Sequence, residues 1–438
     1  MSGIKVAVIG LGKIGLPLAA QYAKKNCYVI GADLNPRTVE TVNEGQAPFP
    51  GEFGLDLILK EIVKSGNLRA TTKTIEAVSE SDAVVVAVPL FVDKQANPDF
   101  SALDAATESI GAGLKPGTLV AFETTLPVGT TRNRLVPILE RTSSMVAGKD
   151  FFVVFSPERV LTGRVFSDLR RYPKLVGGVD KESESIGIEF YKNVLDFDER
   201  LDLSKPNGVW GLGSSEAAEL AKLAETTYRD VNIALANQFA IHAESIGVDV
   251  YRVIDACNSQ VFSHIHQPGI AVGGHCIPIY PHLYLHGDPG ATVVSASRHA
   301  NKKMPIHVIE KIEKAIGGVK QKKIAILGLA YRPGVKEHAF SGAWDLLNEI
   351  RRRGGEPLVH DPMYSRKEIE DLQLTYYELG GLCDAVVIQT DHSDYKSLSR
   401  SDIPNAEFLV DGRNCTSKTI RDSIPHYVLG IGAQSDLV

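Results

Sequence analysis

Short apolar runs alternate along the chain with stretches of helical periodicity. The run "KVAVIG" lies near the N-terminus, and it is followed by "LPLAAQYAKK", with apolar residues at helical spacing, and by a second apolar run, "YVIGAD". Continuous β-branched runs of this length are typical of strands buried on both faces of a parallel sheet. Similar runs occur at 81–89, 117–131 and 150–163. The pattern therefore predicts an α/β domain with a parallel sheet.

The turn between the first predicted strand and helix carries Gly10-x-Gly12-x-x-Gly15, with Ile14 inside the pattern. Gly10 would allow the tight turn, Gly12 would let the backbone approach a pyrophosphate, and Gly15 would let the helix pack against the strand. The helix would present its N-terminal amides to the phosphates. In this context the glycines predict a dinucleotide site, with Ile14 as a further cofactor contact.

An acidic residue, Asp33, ends the second predicted strand. Its position matches the ribose-binding acid of dinucleotide sites, which follows the glycine turn by about 20 residues. A carboxylate there accepts from the ribose 2′-hydroxyl and repels a 2′-phosphate, which favours NAD over NADP. Arg37 either lies along the adenosine of the cofactor or is a solvated surface arginine.

Polar residues and prolines follow three further predicted strands. Ligands of parallel α/β sheets bind beyond the carboxyl ends of the strands. The candidates for the nicotinamide and substrate side are therefore Val88, Pro89, Thr124, Thr125, Glu158 and Arg159. The alternative for each is a turn or capping residue.

The segment 213–248 has apolar residues at helical spacing, begins with serines and acidic residues, and ends at Gly247. These features predict a helix of about 32 residues, roughly 48 Å long. Such a helix links domains, pairs with a partner subunit, or does both. Lys222 and Thr226 are four residues apart and would share one face. Lys222 either belongs to a site or extends its ammonium from a half-buried face into solvent.

Prolines and glycines dominate 255–285, which predicts a loop. The loop contains "GGHCIPIY", in which Cys276 is either a nucleophile or a small apolar side chain. The histidines of this segment fit no zinc-ligand spacing, so no metal site is predicted. They are His264, His266, His275 and His282, and His286 follows directly after the segment.

The last third repeats the opening pattern, with apolar runs at 321–334, 355–363, 383–392 and 406–414. It predicts a second α/β domain, and because a complete GxGxxG is missing, this domain need not bind NAD. Arg332 and Arg413 follow predicted strands and suit a phosphate, or form surface ion pairs. The fold class is therefore α/β, with two Rossmann-like doubly wound domains joined by a long central helix. The predicted domains are 1–205, 206–300 and 301–438.

Composition narrows the function classes. The 438 residues carry a net charge of -6, which argues against a general nucleic-acid binder. The N-terminal stretch lacks signal-peptide features, and no apolar run is long enough to span a membrane. The five cysteines are scattered without a Cys-x-x-Cys pair, so we expect reduced thiols and a cytoplasmic protein.

Taken together, these segments resemble the UDP-sugar 6-dehydrogenase family. The resemblance covers nearly the whole chain in order: "GLGKIGLPLA", "AVP", "ETTLPVGT", "SPERVLTG", "ELAKLAETTYRDVNIALAN", "QPGIAVGGHCIPI", "GLAYRPGV", "HDP" and "DGRN". The segments "SPER", "RDVNIALAN" and "GGHCIP" look more like the branch that acts on UDP-N-acetylhexosamines than like the UDP-glucose branch.

The resemblance implies oxidation of a sugar C6 alcohol to a carboxylate with two NAD per substrate. It makes Cys276 the nucleophile of a thiohemiacetal and a thioester. It makes Lys222, together with Thr226, a stabiliser of the oxyanion, and it assigns water and proton organisation to Thr125 and Glu158. Val88, Pro89 and Thr125 would flank the cofactor. The implied substrate contacts are Glu158, Arg159, Val160, Lys222, His264, Gly273, Gly274, Tyr280, Tyr331, Arg332 and Arg413. A homodimer or higher homo-oligomer through the central helix is also expected.

Three positions depart from the family pattern. Thr226 replaces an asparagine, Tyr280 replaces an aspartate, and Ala339 stands where an arginine is common. Threonine can still donate a hydrogen bond, whereas tyrosine is neutral at pH 7. Three alternatives therefore stay open: a UDP-glucose 6-dehydrogenase, a two-electron hydroxyacid-type dehydrogenase with Lys222 as its acid and base, and a non-catalytic NAD-binding protein.

Overall fold

The computed structural model describes residues 3–93, 95–274 and 276–432. By packing, the chain divides into two units, residues 1–224 and 225–438. Each unit contains a mainly or fully parallel sheet flanked by helices, so the predicted α/β class with two Rossmann-like domains and a long helix is confirmed. The division into three domains at 205 and 300 stays a prediction.

The first unit is built on one large sheet and a small ribbon. Its strands are β1 (Lys5–Ile9), β2 (Tyr28–Ala32), β3 (Leu68–Thr71), β4 (Ala83–Val86), β5 (Phe91–Val92), β6 (Pro98–Asp99), β7 (Leu119–Phe122), β8 (Phe152–Phe155), β9 (Lys174–Gly178) and β10 (Val209–Gly211). The sheet order is β10-β9-β8-β7-β4-β1-β2-β3, and β5 pairs with β6 in the ribbon. Strands β3-β2-β1-β4-β7-β8 are parallel in the order of a doubly wound dinucleotide-binding sheet, whereas β9 runs antiparallel to β8.

Helices cover both faces of this sheet, which explains why its strands read as continuous apolar runs. They are α1 (Gly15–Lys24), α2 (Pro36–Asn43), α3 (Leu55–Lys64), α4 (Thr74–Ser79), α5 (Ser101–Gly113), α6 (Val136–Ser143), α7 (Val165–Arg171) and α8 (Lys181–Val194), with a π-helical turn at Thr131–Leu135. Helix α1 is buried from Gly15 to Ala23, so it lies in the core of the unit.

The long helix α9 runs from Ser215 to Ile246 over 32 residues, and the boundary between the two units falls within it. The predicted helix 213–248 is confirmed to within two residues at each end. Ser214 provides the predicted serine cap, because its hydroxyl accepts from the Ala217 amide at 3.1 Å. Gly247 follows the helix with φ +74°, a conformation that glycine adopts without strain.

The second unit contains a smaller, fully parallel sheet in the order β12-β11-β13-β14-β15. Its strands are β11 (Lys323–Leu327), β12 (Glu356–His360), β13 (Ala385–Ile388), β14 (Phe408–Asp411) and β15 (His426–Val428). Its helices are α10 (Val250–Asn258), α11 (Tyr280–Gly287), α12 (Thr292–Ile316), α13 (Gly342–Arg352), α14 (Arg366–Asp371) and α15 (Lys418–Asp422), with 3-10 turns at Ser393–Ser397 and Arg400–Asp402. This order is the second common form of the doubly wound fold.

The predicted loop at 255–285 is wrong at both ends. Helix α10 extends into it as far as Asn258, and the Asp249 carboxylate caps this helix by accepting from the Tyr251 amide at 2.8 Å. At the other end α11 begins at Tyr280, with Pro281 in the first turn, where a helix tolerates proline because no amide donor is needed. No helix in the described part of the chain is both long enough and apolar enough to cross a membrane.

Candidate active site

The glycine turn after β1 is shaped by contacts that exclude side chains. A Cβ on Gly15 would lie 1.9 Å from the Gly10 carbonyl oxygen, and one on Gly10, whose φ is +92°, would lie 3.0 Å from the Ala87 oxygen. A Cβ on Gly12, in contrast, would meet no heavy atom of the described protein within 4 Å. Packing within the protein therefore explains Gly10 and Gly15, while the open space at Gly12 is where a bound pyrophosphate would approach the backbone.

The carboxylate of Asp33 lies directly beside this turn. One of its oxygens accepts from the Leu11 amide at 2.8 Å, and the other accepts from the Asn35 amide at 2.9 Å. The acid thus connects the end of β2 to the glycine turn. Arg37 is exposed in the first turn of α2. The turn and the acid together fit a dinucleotide, and they are the residues that would hold it.

Replacement of Asp33 by asparagine should relax the choice of coenzyme. The amide keeps one acceptor oxygen for the neighbouring backbone but loses the charge that repels a 2′-phosphate. We expect the ratio of kcat/KM for NAD to that for NADP to fall about 10- to 100-fold, the equivalent of one charge-assisted hydrogen bond. Glu40→Gln, at an exposed carboxylate on α2, is the matched control. An unchanged ratio in Asp33→Asn would contradict the assignment.

The carboxyl ends of β4 and β7 lie along the same edge of the sheet as the glycine turn. There the Thr124 hydroxyl donates to the Val88 carbonyl at 2.6 Å, which ties the two strand ends together. Thr125 is buried, Val88 is half-buried, and Pro89 is exposed. The sequence-predicted residues Val88, Pro89 and Thr125 therefore follow the ends of two neighbouring strands of the first unit.

Glu158 and Lys222 are brought together in the first unit, although they are 64 residues apart. The Lys222 Nζ donates to the main-chain oxygen of Glu158 at 2.6 Å, and the residue is only 7% exposed. Its ammonium therefore does not extend into solvent, which excludes the second interpretation that the sequence left open. Thr226, one helical turn further along α9, is fully buried.

A buried ionic group behind Glu158 was not predicted from the sequence. Lys174, at the start of β9, donates to the carboxylates of both Glu123 and Glu158 at 2.9 Å. Glu123 also accepts from the hydroxyls of Tyr191 at 2.6 Å and Tyr22 at 3.3 Å. In the sequence, Glu123 and Lys174 each stand out only as a single charged residue beside an apolar run, at the end of "VAFE" and at the start of "KLVGG".

In the second unit, Cys276 lies between the tandem glycines and α11. Its thiol is half-buried and carries no disulfide, and its carbonyl accepts from the Tyr280 amide at 2.8 Å. Tyr280 therefore begins a helix whose first hydrogen bond returns to the cysteine. His275, which directly precedes Cys276 in the sequence, lies outside the described residues.

The tandem glycines pack against Tyr331. A Cβ on Gly273 would lie 2.7 Å from the Tyr331 Cβ, and one on Gly274, at φ +93°, would lie 3.1 Å from the Tyr331 ring. The Arg332 guanidinium donates to the Tyr331 hydroxyl at 3.2 Å. The glycines are therefore needed for an internal contact as well as for any approach of substrate to the loop.

Arg413 and His264 have protein partners of different kinds. The Arg413 Nε forms an ion pair with Asp391 at 3.1 Å, as the surface-pair interpretation predicted. His264 is exposed, and its main-chain oxygen accepts from the Asn232 amide group at 2.6 Å. Within the described residues, no group of three or more histidine, cysteine or acidic residues is arranged to hold a metal ion.

Together, the fold, the glycine turn and Asp33 define a dinucleotide-binding protein of the doubly wound class. Models of the UDP-glucose/GDP-mannose dehydrogenase family match the chain in three places: the NAD-binding domain at residues 4–195, the central domain at 216–302 and the UDP-binding domain at 325–418. The chain belongs to this family, and it is an NAD-dependent UDP-sugar dehydrogenase.

Similar proteins match nearly the full length of this chain. A UDP-N-acetyl-D-mannosamine dehydrogenase from Pyrococcus horikoshii is 34% identical over 94% of this chain and 96% of its own. One from Methanocaldococcus jannaschii is 33% identical over 98% of this chain and 97% of its own. Among solved structures, UDP-D-ManNAc dehydrogenase from Pyrococcus horikoshii matches with a TM-score of 0.86 and 30% identity, over 99% of this chain and 100% of that one.

Proposed function

We propose that the protein oxidises the C6 alcohol of a UDP-N-acetylhexosamine, UDP-N-acetylmannosamine first, to the uronic acid. Per turnover, one sugar alcohol, two NAD⁺ and one water give one carboxylate, two NADH and three protons. The observation that carries the choice of sugar is the near full-length similarity to UDP-N-acetyl-D-mannosamine dehydrogenases. The UDP-binding model over 325–418 supports a nucleotide-sugar substrate.

The first unit would hold NAD through Gly10, Gly12, Ile14, Gly15 and Asp33. Arg37 would lie along the adenosine, and Val88, Pro89 and Thr125 would flank the nicotinamide. When bound, NAD supplies the hydride acceptor for both oxidations. The chain's own contribution here is to orient the cofactor by backbone amides and to select it through the carboxylate.

The chemistry on the sugar is carried by side chains of this chain. Lys222, with Thr226, stabilises the negative charge that develops on the C6 oxygen. The Cys276 thiolate bonds to the aldehyde carbon and gives a thiohemiacetal, which loses a hydride and a proton to become a thioester. Water, oriented by Thr125 and deprotonated by Glu158, attacks the thioester carbon, and Cys276 leaves as the thiolate.

Substrate contacts are proposed for each unit by itself. On the first, Glu158, Arg159, Val160 and Lys222 would contact the sugar. On the second, they are His264, Gly273, Gly274, Tyr280, Tyr331, Arg332 and Arg413, with the two arginines directed to the diphosphate. We further propose a cytoplasmic homodimer or higher homo-oligomer formed through the central helix.

A panel of UDP-sugars with NAD tests this function. We expect the highest kcat/KM with UDP-N-acetylmannosamine, lower values with UDP-N-acetylglucosamine and UDP-glucose, and two NADH for each sugar consumed. A preference for UDP-glucose would replace the proposed sugar but keep the chemistry. One NADH per substrate would instead indicate a two-electron dehydrogenase, and no NADH with any sugar would contradict the proposal.

A further inference from the structure

Three charged side chains are buried together in the first unit, in the order Glu123, Lys174, Glu158. The side chains of Lys174, Glu123 and Glu158 are 3%, 1% and 9% exposed. The Lys174 Nζ lies 2.9 Å from one oxygen of each carboxylate. The group therefore places two carboxyl groups and one ammonium almost entirely away from water.

The two ends of this group differ. At the inner end, Glu123 is enclosed by Tyr22 and Tyr191, both fully buried, whose hydroxyls donate to its carboxylate. At the outer end, Glu158 and Lys174 line a pocket together with Arg159, Val160 and Tyr172. Of the two carboxylates, Glu158 is therefore the one that borders this pocket.

Glu158 is fixed from three directions. Its Oε2 accepts from Lys174 at 2.9 Å, its Oε1 accepts from the Arg159 amide at 3.0 Å, and its main-chain oxygen accepts from Lys222 at 2.6 Å. Arg159 and Lys222 are themselves proposed substrate contacts. Lys174 is not, and strand β9, where it lies, carries none of the proposed site residues. Among the described residues, the other partner of the Glu158 carboxylate is the Arg159 amide, so Lys174 restricts its rotation.

We propose that Lys174 is a positioning residue that holds the Glu158 carboxylate for the attack of water on the thioester, and that Glu123 holds Lys174. The inference rests on the proposed function, because it assigns its step to the Cys276 thioester. Water loses a proton to Glu158 as its oxygen bonds to the acyl carbon, and the Cys276 sulfur leaves with the electron pair of the broken bond. Lys174 keeps its own protons throughout.

The charges around Lys174 favour this arrangement. Burial alone would lower the pKa of Lys174, but the carboxylates of Glu123 and Glu158 raise it, so the ammonium stays charged. Burial raises the pKa of Glu123 to about 7, against the opposing effect of Lys174. A buried ion pair is often no more stabilising than apolar residues of similar size, so stability is a weak reason for a third charge here.

Lys174→Met should slow the last chemical step and spare the earlier ones. We expect kcat to fall about 10- to 100-fold, the usual cost of misplacing a proton-transfer group. Because kcat/KM reports the steps before hydrolysis, KM should fall together with kcat. Rapid mixing should give a burst of two NADH per active site, and intact-protein mass spectrometry should find the acyl adduct on Cys276.

Two further variants make the test independent of folding. Lys25→Met removes a half-buried lysine that pairs with Asp196 at 2.7 Å in the same unit, and it should turn over within about twofold of the wild type because surface pairs contribute little. The double variant Glu123→Gln with Lys174→Met removes the inner carboxyl group together with the ammonium that it contacts, so Glu123 is not left buried without Lys174. It should fold if Lys174→Met alone does not, and it should still show the burst.

The outcomes separate the two proposals. Wild-type steady-state rates in both Lys174 variants, or an equal loss of the burst and the later turnover in folded protein, would overturn the positioning role. A wild-type enzyme that releases one NADH per sugar, or that never carries an adduct on Cys276, would overturn the proposed function instead.

Discussion

Replacement of Cys276 by serine is expected to abolish the four-electron oxidation while NAD and the UDP-sugar still bind. A serine hydroxyl is hardly ionised near neutral pH, so it adds poorly to the aldehyde carbon and gives an ester in place of a reactive thioester. We expect turnover to fall about 10³-fold or more, the range found when a covalent nucleophile is removed. The measurement is NADH released per UDP-sugar in single-turnover and steady-state experiments.

The local structure makes this substitution a clean one. Cys276 is half-buried and carries no disulfide, and its backbone, through the bond from the Tyr280 amide, starts α11. Serine preserves that backbone contact and nearly the side-chain volume. Cys257→Ser, at a half-buried cysteine on α10 of the same unit, is the matched control and should keep full activity. Four-electron turnover at the wild-type rate in Cys276→Ala would exclude the thioester mechanism.

The dinucleotide half of the site could be predicted because its determinants are local. Gly10, Gly15 and Asp33 lie within one strand–helix–strand unit, and their contacts follow from the backbone path of that unit. The long helix could also be predicted from the sequence, because its apolar spacing and its terminal serine and glycine all indicate the same bounds. Both predictions relied on residues that lie close to one another in the sequence.

The group behind Glu158 could not be predicted because its members are distant in sequence. Lys174 contacts Glu123 across 51 residues and Glu158 across 16, and each of the three looks like an ordinary strand-end charge. Strand β9 was missed for a related reason. Gly177 and Gly178 weaken the strand pattern, yet a Cβ on Gly177 would lie 2.0 Å from the Ser214 oxygen, so the close approach of α9 requires glycine there.

In the second unit, some residues have two explanations: the family resemblance assigns them to substrate binding, and the structure shows that they make contacts within the protein. Gly273 and Gly274 were assigned to substrate approach, but the Tyr331 side chain already lies against both. Arg413 was assigned to a diphosphate, yet Asp391 pairs with it at 3.1 Å. A phosphate would have to compete with that carboxylate, so the ion pair would weaken binding or be exchanged when substrate arrives.

Replacement of Lys222 by methionine is expected to slow both oxidations, in contrast to the loss of Lys174. The buried ammonium on α9 is held 2.6 Å from the Glu158 carbonyl, so it would meet a developing alkoxide with little reorganisation. Removal of one such preorganised donor costs about 10²- to 10³-fold in kcat. Stopped-flow records of NADH should show the first hydride transfer slowed by that factor, with the affinity for NAD unchanged.

Methionine has nearly the length of lysine and keeps the apolar packing of its chain, but it leaves the Glu158 carbonyl without this donor. That loss costs about 1–3 kcal/mol of stability for a buried group, so thermal unfolding must be recorded beside the kinetics. Lys192→Met, at an exposed lysine on α8, controls for loss of charge in the same unit. A folded Lys222→Met enzyme with a wild-type first hydride transfer would contradict the oxyanion role. Slow hydrolysis alone in that variant would instead place Lys222 with Lys174, as a second support of Glu158.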